Sequence, residues 1–317
     1  MKIHGQKNEL SENEKQKFYE KLNSKYEIYS QLGTSGARTS AYLMRDIRDI
    51  NGEEFVLKIP NDENDSAWII SQRNTFENCK KALSGYDGDV YIPNNINFYD
   101  MFTVEPYAGT ELTPDIYRAL TEPDKNKIAN DLAYFYYYLH TNNNISDVLP
   151  LEMFFGPALD EVFDYLQDSL DEKQRLFVSE KIKCFKSRDI KDEISVMTHA
   201  DIRSQNILYN QQTKKLAVID FEVLKARNIY HDFVPFAAAS FGLPYELLFE
   251  TVGKYNSLMA KTNIFISSEK VKLFHELGII HEYGRVAISM KMTGDELKNQ
   301  CLRIFNRIKE VQVKNIK

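Results

Sequence analysis

Two short apolar runs around a polar turn constrain the fold of this 317-residue chain more than any other feature. Ile207–Tyr209 and Ala217–Ile219 flank Asn210–Lys215, a pattern that folds as a β-hairpin. A hairpin centred near Thr213 puts residues 206 and 220 opposite each other. Cross-strand neighbours lie about 4.5–5.5 Å apart at Cβ, so Asn206 and Asp220 can aim two oxygens at one point. Magnesium takes oxygen ligands at about 2.0–2.1 Å and draws few of them from protein. One amide and one carboxylate suit that habit. Asp201, in the loop leading into the hairpin, reaches the same place without being a ligand, where a base for an incoming hydroxyl would stand.

The rest of the chain changes character once. Residues 1–25 read as a polar lead-in helix. Tyr26–Leu32, Thr39–Asp46 and Glu54–Ile59 read as strands, with Asn51-Gly52 as a hairpin turn. Trp68–Leu83 is helical, and Tyr91–Pro93 and Phe98–Glu105 are two further short strands. Pro106, Gly109 and Pro114 then break regular structure. Beyond them helices dominate. The segment opened by Thr121-Glu-Pro-Asp124 has Ile128, Leu132, Phe135 and Leu139 on one face. Pro157–Leu170, Glu172–Phe185 and most of 231–317 read the same way. A small β-rich lobe followed by a larger helical one is an α+β architecture, with expected divisions at 1–104, a hinge at 105–112, and 113–317.

Composition excludes several classes. Forty basic against 46 acidic residues give a net charge of −6, which argues against a nucleic-acid surface. No apolar run approaches the roughly 18 residues of a membrane helix, and the polar N-terminus has no signal-peptide core, so the cytoplasm is the expected compartment. Cys79, Cys184 and Cys301 are too few and too scattered for a disulfide framework or a zinc site.

The first lobe offers a complement to the hairpin. Gly33-Thr-Ser-Gly-Ala37, with Ser35 between Gly33 and Gly36, joins two strands. Glycine lets backbone approach a ligand closely, and turn N–H groups favour anions. Lys58 interrupts an apolar strand, so it lies on a solvent face or points at something negative. Glu77, on the next helix, is a possible partner for its ammonium, with Glu63 as a competitor.

The order of glycine loop, strand lysine, helix glutamate, hinge, His199-Ala-Asp201…Asn206 and Ile219-Asp220-Phe221-Glu222 resembles the protein-kinase-like superfamily. More narrowly it resembles the aminoglycoside phosphotransferase and choline/ethanolamine kinase branch. That branch carries H-x-D-x-x-x-x-N and an I-D-F-E in place of D-F-G. Glu105-Pro-Tyr107-Ala-Gly109-Thr-Glu-Leu112 is similar to its hinge, Leu139-His140 to a common helix end, and Asn228…Asp232 to the Asn-then-Asp pattern of choline kinases. The likeness spans roughly residues 27–235. Ala200 departs from the commoner Gly or Asn, and the last 80 residues match no pattern.

The resemblance implies a bilobal kinase-like fold and ATP-dependent transfer of a γ-phosphoryl group to a hydroxyl of a small molecule. ATP or another nucleoside triphosphate would be the donor, and Mg2+ the metal. The Gly33–Gly36 backbone would cover the phosphates and Lys58 would hold them. Glu105–Gly109 would meet the adenine edge, Asn206 and Asp220 would hold the metal, and Asp201 would deprotonate the acceptor. His199 is read as orienting its loop. Arg203 either meets a phosphate or is a surface arginine. Glu222, two residues past Asp220 and so on the same strand face, touches metal or acceptor or forms a salt bridge. Asp232 anchors the loop or borders the substrate. The Tyr134–Tyr138 run is read as helix packing. The acceptor classes that fit are aminoglycoside, amino-alcohol such as choline or ethanolamine, and sugar. Glu246, Glu250, Glu276, Glu282, Tyr245, Tyr255 and Tyr283 would suit a cationic one. The only tryptophan, Trp68, falls in the first lobe, which disfavours choline. A kinase-fold binding module without turnover and a protein kinase are the alternatives. The intact Lys58, Asp201, Asn206 and Asp220 weigh against the first, and the missing D-F-G and A-P-E motifs against the second.

Overall fold

The computed structural model describes Glu20 and residues 24–32, 39–46, 54–60, 66–92, 96–98, 103–142, 158–187, 194–221, 224–233, 242–262 and 264–313. Gly33, Ser35, Gly36, the Asn51-Gly52 turn, Glu63, Glu222 and nearly all of the lead-in segment lie outside the described residues. The chain divides into two compact units, Met1–Lys81 with Tyr91–Gly109, and Ala82–Val90 with Thr110–Lys317. The boundary after Gly109 falls inside the expected hinge. The expected unbroken span 1–104 differs from this division, because Ala82–Val90 belongs to the second unit. Its Asp87 and Asp89 accept hydrogen bonds from Tyr134 and Lys127, which fasten it there. Gly109 has φ 132°, a conformation that side chains disfavour.

The first unit holds an antiparallel five-stranded sheet. Its strands are Tyr26–Gln31 (β1), Thr39–Asp46 (β2), Glu54–Pro60 (β3), Asn97–Phe98 (β4) and Thr103–Pro106 (β5), in the order β1-β2-β3-β5-β4. Alternation decides its faces. Met44, Leu57 and Val104 form one buried cluster, with Tyr26, Tyr42, Phe55 and Ile59 packed against it. Val56, Lys58, Thr103 and Glu105 therefore belong to the opposite face. The helix Ser66–Ala82 (α1) follows β3.

In the second unit, helices Pro114–Ala119 (α2) and Glu122–Thr141 (α3) begin at Thr113 and Thr121. Their hydroxyls accept from the N–H groups of Ile116 and Asp124, as N-caps do. The expected face Ile128, Leu132, Phe135 and Leu139 is buried, joined by Tyr136 and His140. Further helices are Ala158–Leu166 (α4), Glu172–Lys186 (α5), Tyr245–Leu258 (α6), Ser268–Ser289 (α7) and Gly294–Val313 (α8). Between α5 and α6 run four short strands, Ser195–Thr198 (β7), Ile207–Asn210 (β8), Lys215–Val218 (β9) and Lys225–Asn228 (β10). β10 pairs with β7. Thr110–Glu111 (β6) pairs with β8, and β8 with β9.

A buried carboxylate joins these pieces. Asp232 has no solvent exposure and ends the 3-10 turn Ile229–Asp232. Its Oδ1 accepts the Ala200 N–H, and its Oδ2 meets His140 Nε2 at 2.9 Å. His140 Nδ1 lies 2.9 Å from the Tyr255 hydroxyl on α6, and the Tyr136 hydroxyl donates to the Asp232 carbonyl. Ala200 sits at φ 61°, unfavourable for any residue with a Cβ, so its amide needs this acceptor to hold the chain there.

Two tests follow from this packing. Asp232→Ala strands the Ala200 amide and the His140 ring in a dry interior. It should lower unfolding free energy by about 3 kcal/mol, the cost of leaving such groups unpaired, as read by urea denaturation. His231 and His275 are buried, and burial depresses their pKa values to about 4 and about 3. In an unfolded chain they titrate near pH 6.5, so acid favours unfolding through both. The stability they confer is complete above pH 6.5 and falls progressively as pH drops toward 4. The expected slope is about 1 kcal/mol per pH unit per histidine, seen as a falling melting temperature, and replacing His275 with Gln should flatten it.

Candidate functional site

The loop between β7 and β8 is fixed from within by one histidine. His199 is fully buried. Its Nε2 donates to the Ile219 carbonyl at 2.9 Å and its Nδ1 accepts from the Asp201 N–H at 3.3 Å. The Ile219 N–H donates in turn to the Asn206 carbonyl at 3.0 Å. One peptide segment, just before Asp220, is thus held by both ends of the His199–Asn206 loop. Phe221 packs edge-on against the His199 ring with centroids 4.7 Å apart, and against Phe135 of α3.

These links bring Asp201, Arg203 and Asn206 together. The Asn206 side-chain N–H donates to the Asp201 carbonyl at 2.8 Å and to Asp201 Oδ2 at 2.9 Å. Arg203 Nη2 donates to the same Oδ2 at 2.7 Å. Asp201 Oδ1 accepts no hydrogen bond among the described residues, and the side chain is 23% exposed. Ser204 is buried and donates to Glu111 Oε1 on β6, tying the loop to the start of the unit.

The hairpin register differs from expectation by one residue. Ile207 pairs with Val218 and Asn210 with Lys215, so Asn206 stands opposite Ile219 and not Asp220. The cause is the turn. Four residues, Gln211–Lys214, link the strands. Asn210 Oδ1 accepts from the N–H groups of both Gln212 and Thr213, and Lys214 takes φ 58°. An even number of turn residues cannot centre on Thr213. The strand also stops at Val218, and Asp220 is exposed with φ 64°. A left-handed residue turns the chain sharply, so Asp220 does not continue the strand, and Glu222 lies outside the described residues.

The metal question turns on donor chemistry. With its N–H group spent on Asp201, the Asn206 amide has its oxygen directed elsewhere, and Asp220 offers an exposed carboxylate next to the segment bonded to Asn206. One amide oxygen and one carboxylate fit a hard divalent cation that completes its shell with water and phosphate. Among the described residues no group of three or more histidine, cysteine or carboxylate side chains gathers as a metal cage.

Lys58 finds a different partner from the one expected. Its Nζ lies 2.6 Å from Glu105 Oε1 on β5. Glu77 on α1 is 65% exposed at its side chain and faces Lys80 at 3.8 Å. Tyr107 donates its N–H to the Glu54 carbonyl, so that amide belongs to the sheet. By alternation, the Pro106 carbonyl points away from β3.

Three residues expected to border an acceptor are used otherwise. Glu276 is fully buried and pairs with Lys181 at 2.6 Å. Tyr245 and Tyr255 are buried, with their hydroxyls bonded to His275 and His140. Glu246 is exposed and Glu250 lies 3.8 Å from Lys254. Sequence reasoning missed Arg227 on β10. Burial lowers its pKa, and the charges of Asp232 and Asp201 oppose that shift, which places it in the field of both carboxylates. No motif marks it. It reaches the site through the pairing of β10 with β7.

Neither a family model nor a curated protein matches the sequence. Solved structures do. The ADP-bound aminoglycoside phosphotransferase APH(2'')-Ib is similar over 93% of this chain and 98% of its own, with TM-score 0.59 and 18% identity. The GDP complex of wild-type aminoglycoside 2'-phosphotransferase-IIIa covers 92% and 94%, with TM-score 0.62 and 18% identity. Macrolide 2'-phosphotransferase MphH from Brachybacterium faecium covers 92% and 96%, with TM-score 0.58 and 12% identity. Across nearly its whole length, the chain therefore has the bilobal protein-kinase-like fold that these phosphotransferases share.

Proposed function

We propose that the protein is a nucleoside-triphosphate-dependent kinase of hydroxyl-bearing small molecules. The observation that carries this reading is the state of Asp201. One of its oxygens is saturated by Arg203 and Asn206, and the other accepts nothing among the described residues. That is the arrangement a base needs. Two donors fix the carboxylate plane, and one lone pair remains to receive the acceptor's proton. As the acceptor oxygen bonds to the γ-phosphorus, the bridging bond to the β-phosphate breaks, the nucleoside diphosphate leaves and the proton passes to Asp201 Oδ1. Asn206 and Asp220 would hold Mg2+, which when bound offsets phosphate charge. Lys58 and the Gly33–Gly36 backbone serve the phosphates, and the 105–109 backbone serves the base.

Support for small acceptors comes from the company this fold keeps. Related structures hold kanamycin with GDP, streptomycin with ATP, and gentamicin. Aminoglycosides are therefore the first acceptors to try, with macrolides, choline, ethanolamine and neutral sugars in the same panel. A cationic acceptor agrees with the net charge of −6. A salt-dependent KM for cationic members alone would bear that out.

Asp201→Asn should lower transfer of labelled γ-phosphate by about 10²–10⁴-fold while nucleotide affinity persists. Near-normal turnover by this variant would remove the base. Asp220→Ala should weaken nucleotide binding in magnesium more than Asn206→Ala does, because only the carboxylate carries formal charge. Identical magnesium titrations for these two variants and the unaltered chain would exclude both as ligands.

A further inference from the structure

We infer that Glu105, and not the helical Glu77, is the positioning residue for the Lys58 ammonium, an inference that rests on the function proposed above. The sheet register dictates it. β3 and β5 are antiparallel, with Val56 opposite Glu105 and Lys58 opposite Thr103. Lys58 and Glu105 are therefore diagonal neighbours on one face. Such neighbours lie about 7–8 Å apart, within reach of two long side chains. The side chains close that gap to a 2.6 Å contact between Nζ and Oε1.

Burial separates this contact from the alternative. The Lys58 and Glu105 side chains are 24% and 9% exposed, whereas Glu77 and Lys80 are 65% and 49% exposed. An exposed pair on one helix contributes little and is readily exchanged for water. A pair set in two hydrogen-bonded strands has its backbone fixed on both sides, so a flexible lysine loses less freedom when it meets a phosphate.

The placement has a chemical consequence. Glu105 immediately precedes Pro106, at the start of the segment proposed to meet the nucleotide base. The lysine proposed to serve the phosphates is then paired with the strand that leads into the backbone proposed to serve the base, and not with Glu77.

The test is a double-mutant cycle read by MgADP binding in a calorimeter, with the unaltered chain, E105Q, K58M, E105Q/K58M and E77Q. E105Q and K58M should each weaken MgADP about tenfold, and the double variant should lose no more than K58M alone, since coupled neighbours are non-additive. A merely structural role for Glu105 would give additive losses, which overturns the inference. So does a tenfold loss in E77Q with none in E105Q. Should E105Q fail to melt cooperatively, Glu105→Asp takes its place in the cycle. It keeps the charge but is one methylene short, and an intermediate loss, again non-additive with K58M, is expected. Full MgADP affinity in Glu105→Asp would overturn the inference. Failure of the unaltered chain to bind MgADP overturns this inference together with the proposed function, whereas additivity with binding intact overturns the inference alone.

Discussion

The candidate site hangs from a carboxylate sealed away from solvent. Asp232 is completely buried, and both its oxygens are engaged, one by the Ala200 amide and one by His140. A buried carboxylate left without donors is costly, so the Ala200 backbone, the α3 helix end and the Tyr255 hydroxyl of α6 must arrive together. Once Ala200 is held at φ 61°, the chain reverses and His199 turns inward while Asp201 turns outward. His199 then clamps the Ile219 carbonyl, and Asn206 receives the Ile219 amide. The backbone positions of Asp201, Asn206 and Asp220 therefore depend on one set of interior hydrogen bonds.

Much of this arrangement was legible because its signals are local. The apolar spacing of α3, its opening at Thr121, and the strand-like runs of β2 and β3 each specify an element within a dozen residues. The H-x-D-x-x-x-x-N spacing likewise fixed which polar residues share the loop. Register and long-range partners were not legible in the same way. The Asn210 side chain closes a four-residue turn where an odd-membered one was expected, and that single residue displaces Asp220 from the place opposite Asn206. Strand alternation amplifies such an error, because a slip of one reverses every face.

Lys58 shows the same limit from another direction. The sequence gives one lysine and several downstream glutamates, and helical Glu77 fits the usual order of elements. Which carboxylate is near depends on the crossing of β3 by β5, strands separated by some forty residues of intervening chain. Only the sheet order β1-β2-β3-β5-β4 makes Glu105 a neighbour. Arg227 is hidden for a similar reason, since β10 returns beside β7 and delivers it to the field of Asp201 and Asp232.

The acceptor side follows from what the interior has already consumed. Glu276, Tyr245 and Tyr255 looked suited to an ammonium ligand, yet each is buried, and each has its polar group committed to a neighbouring side chain. Freeing either tyrosine would strand a buried histidine, and freeing Glu276 would leave its own buried carboxylate without Lys181, a penalty of about 1–3 kcal/mol that a surface carboxylate does not incur. Selection for a cationic acceptor would therefore rest on side chains outside that interior set. Arg203 works in the opposite sense. While it donates to Asp201 Oδ2 it places positive charge beside that carboxylate, which opposes a second cation at that spot and favours an anion. A cationic acceptor would thus present its hydroxyl to Asp201 and keep its ammonium groups away from Arg203. The charge pattern constrains acceptor orientation more firmly than acceptor identity.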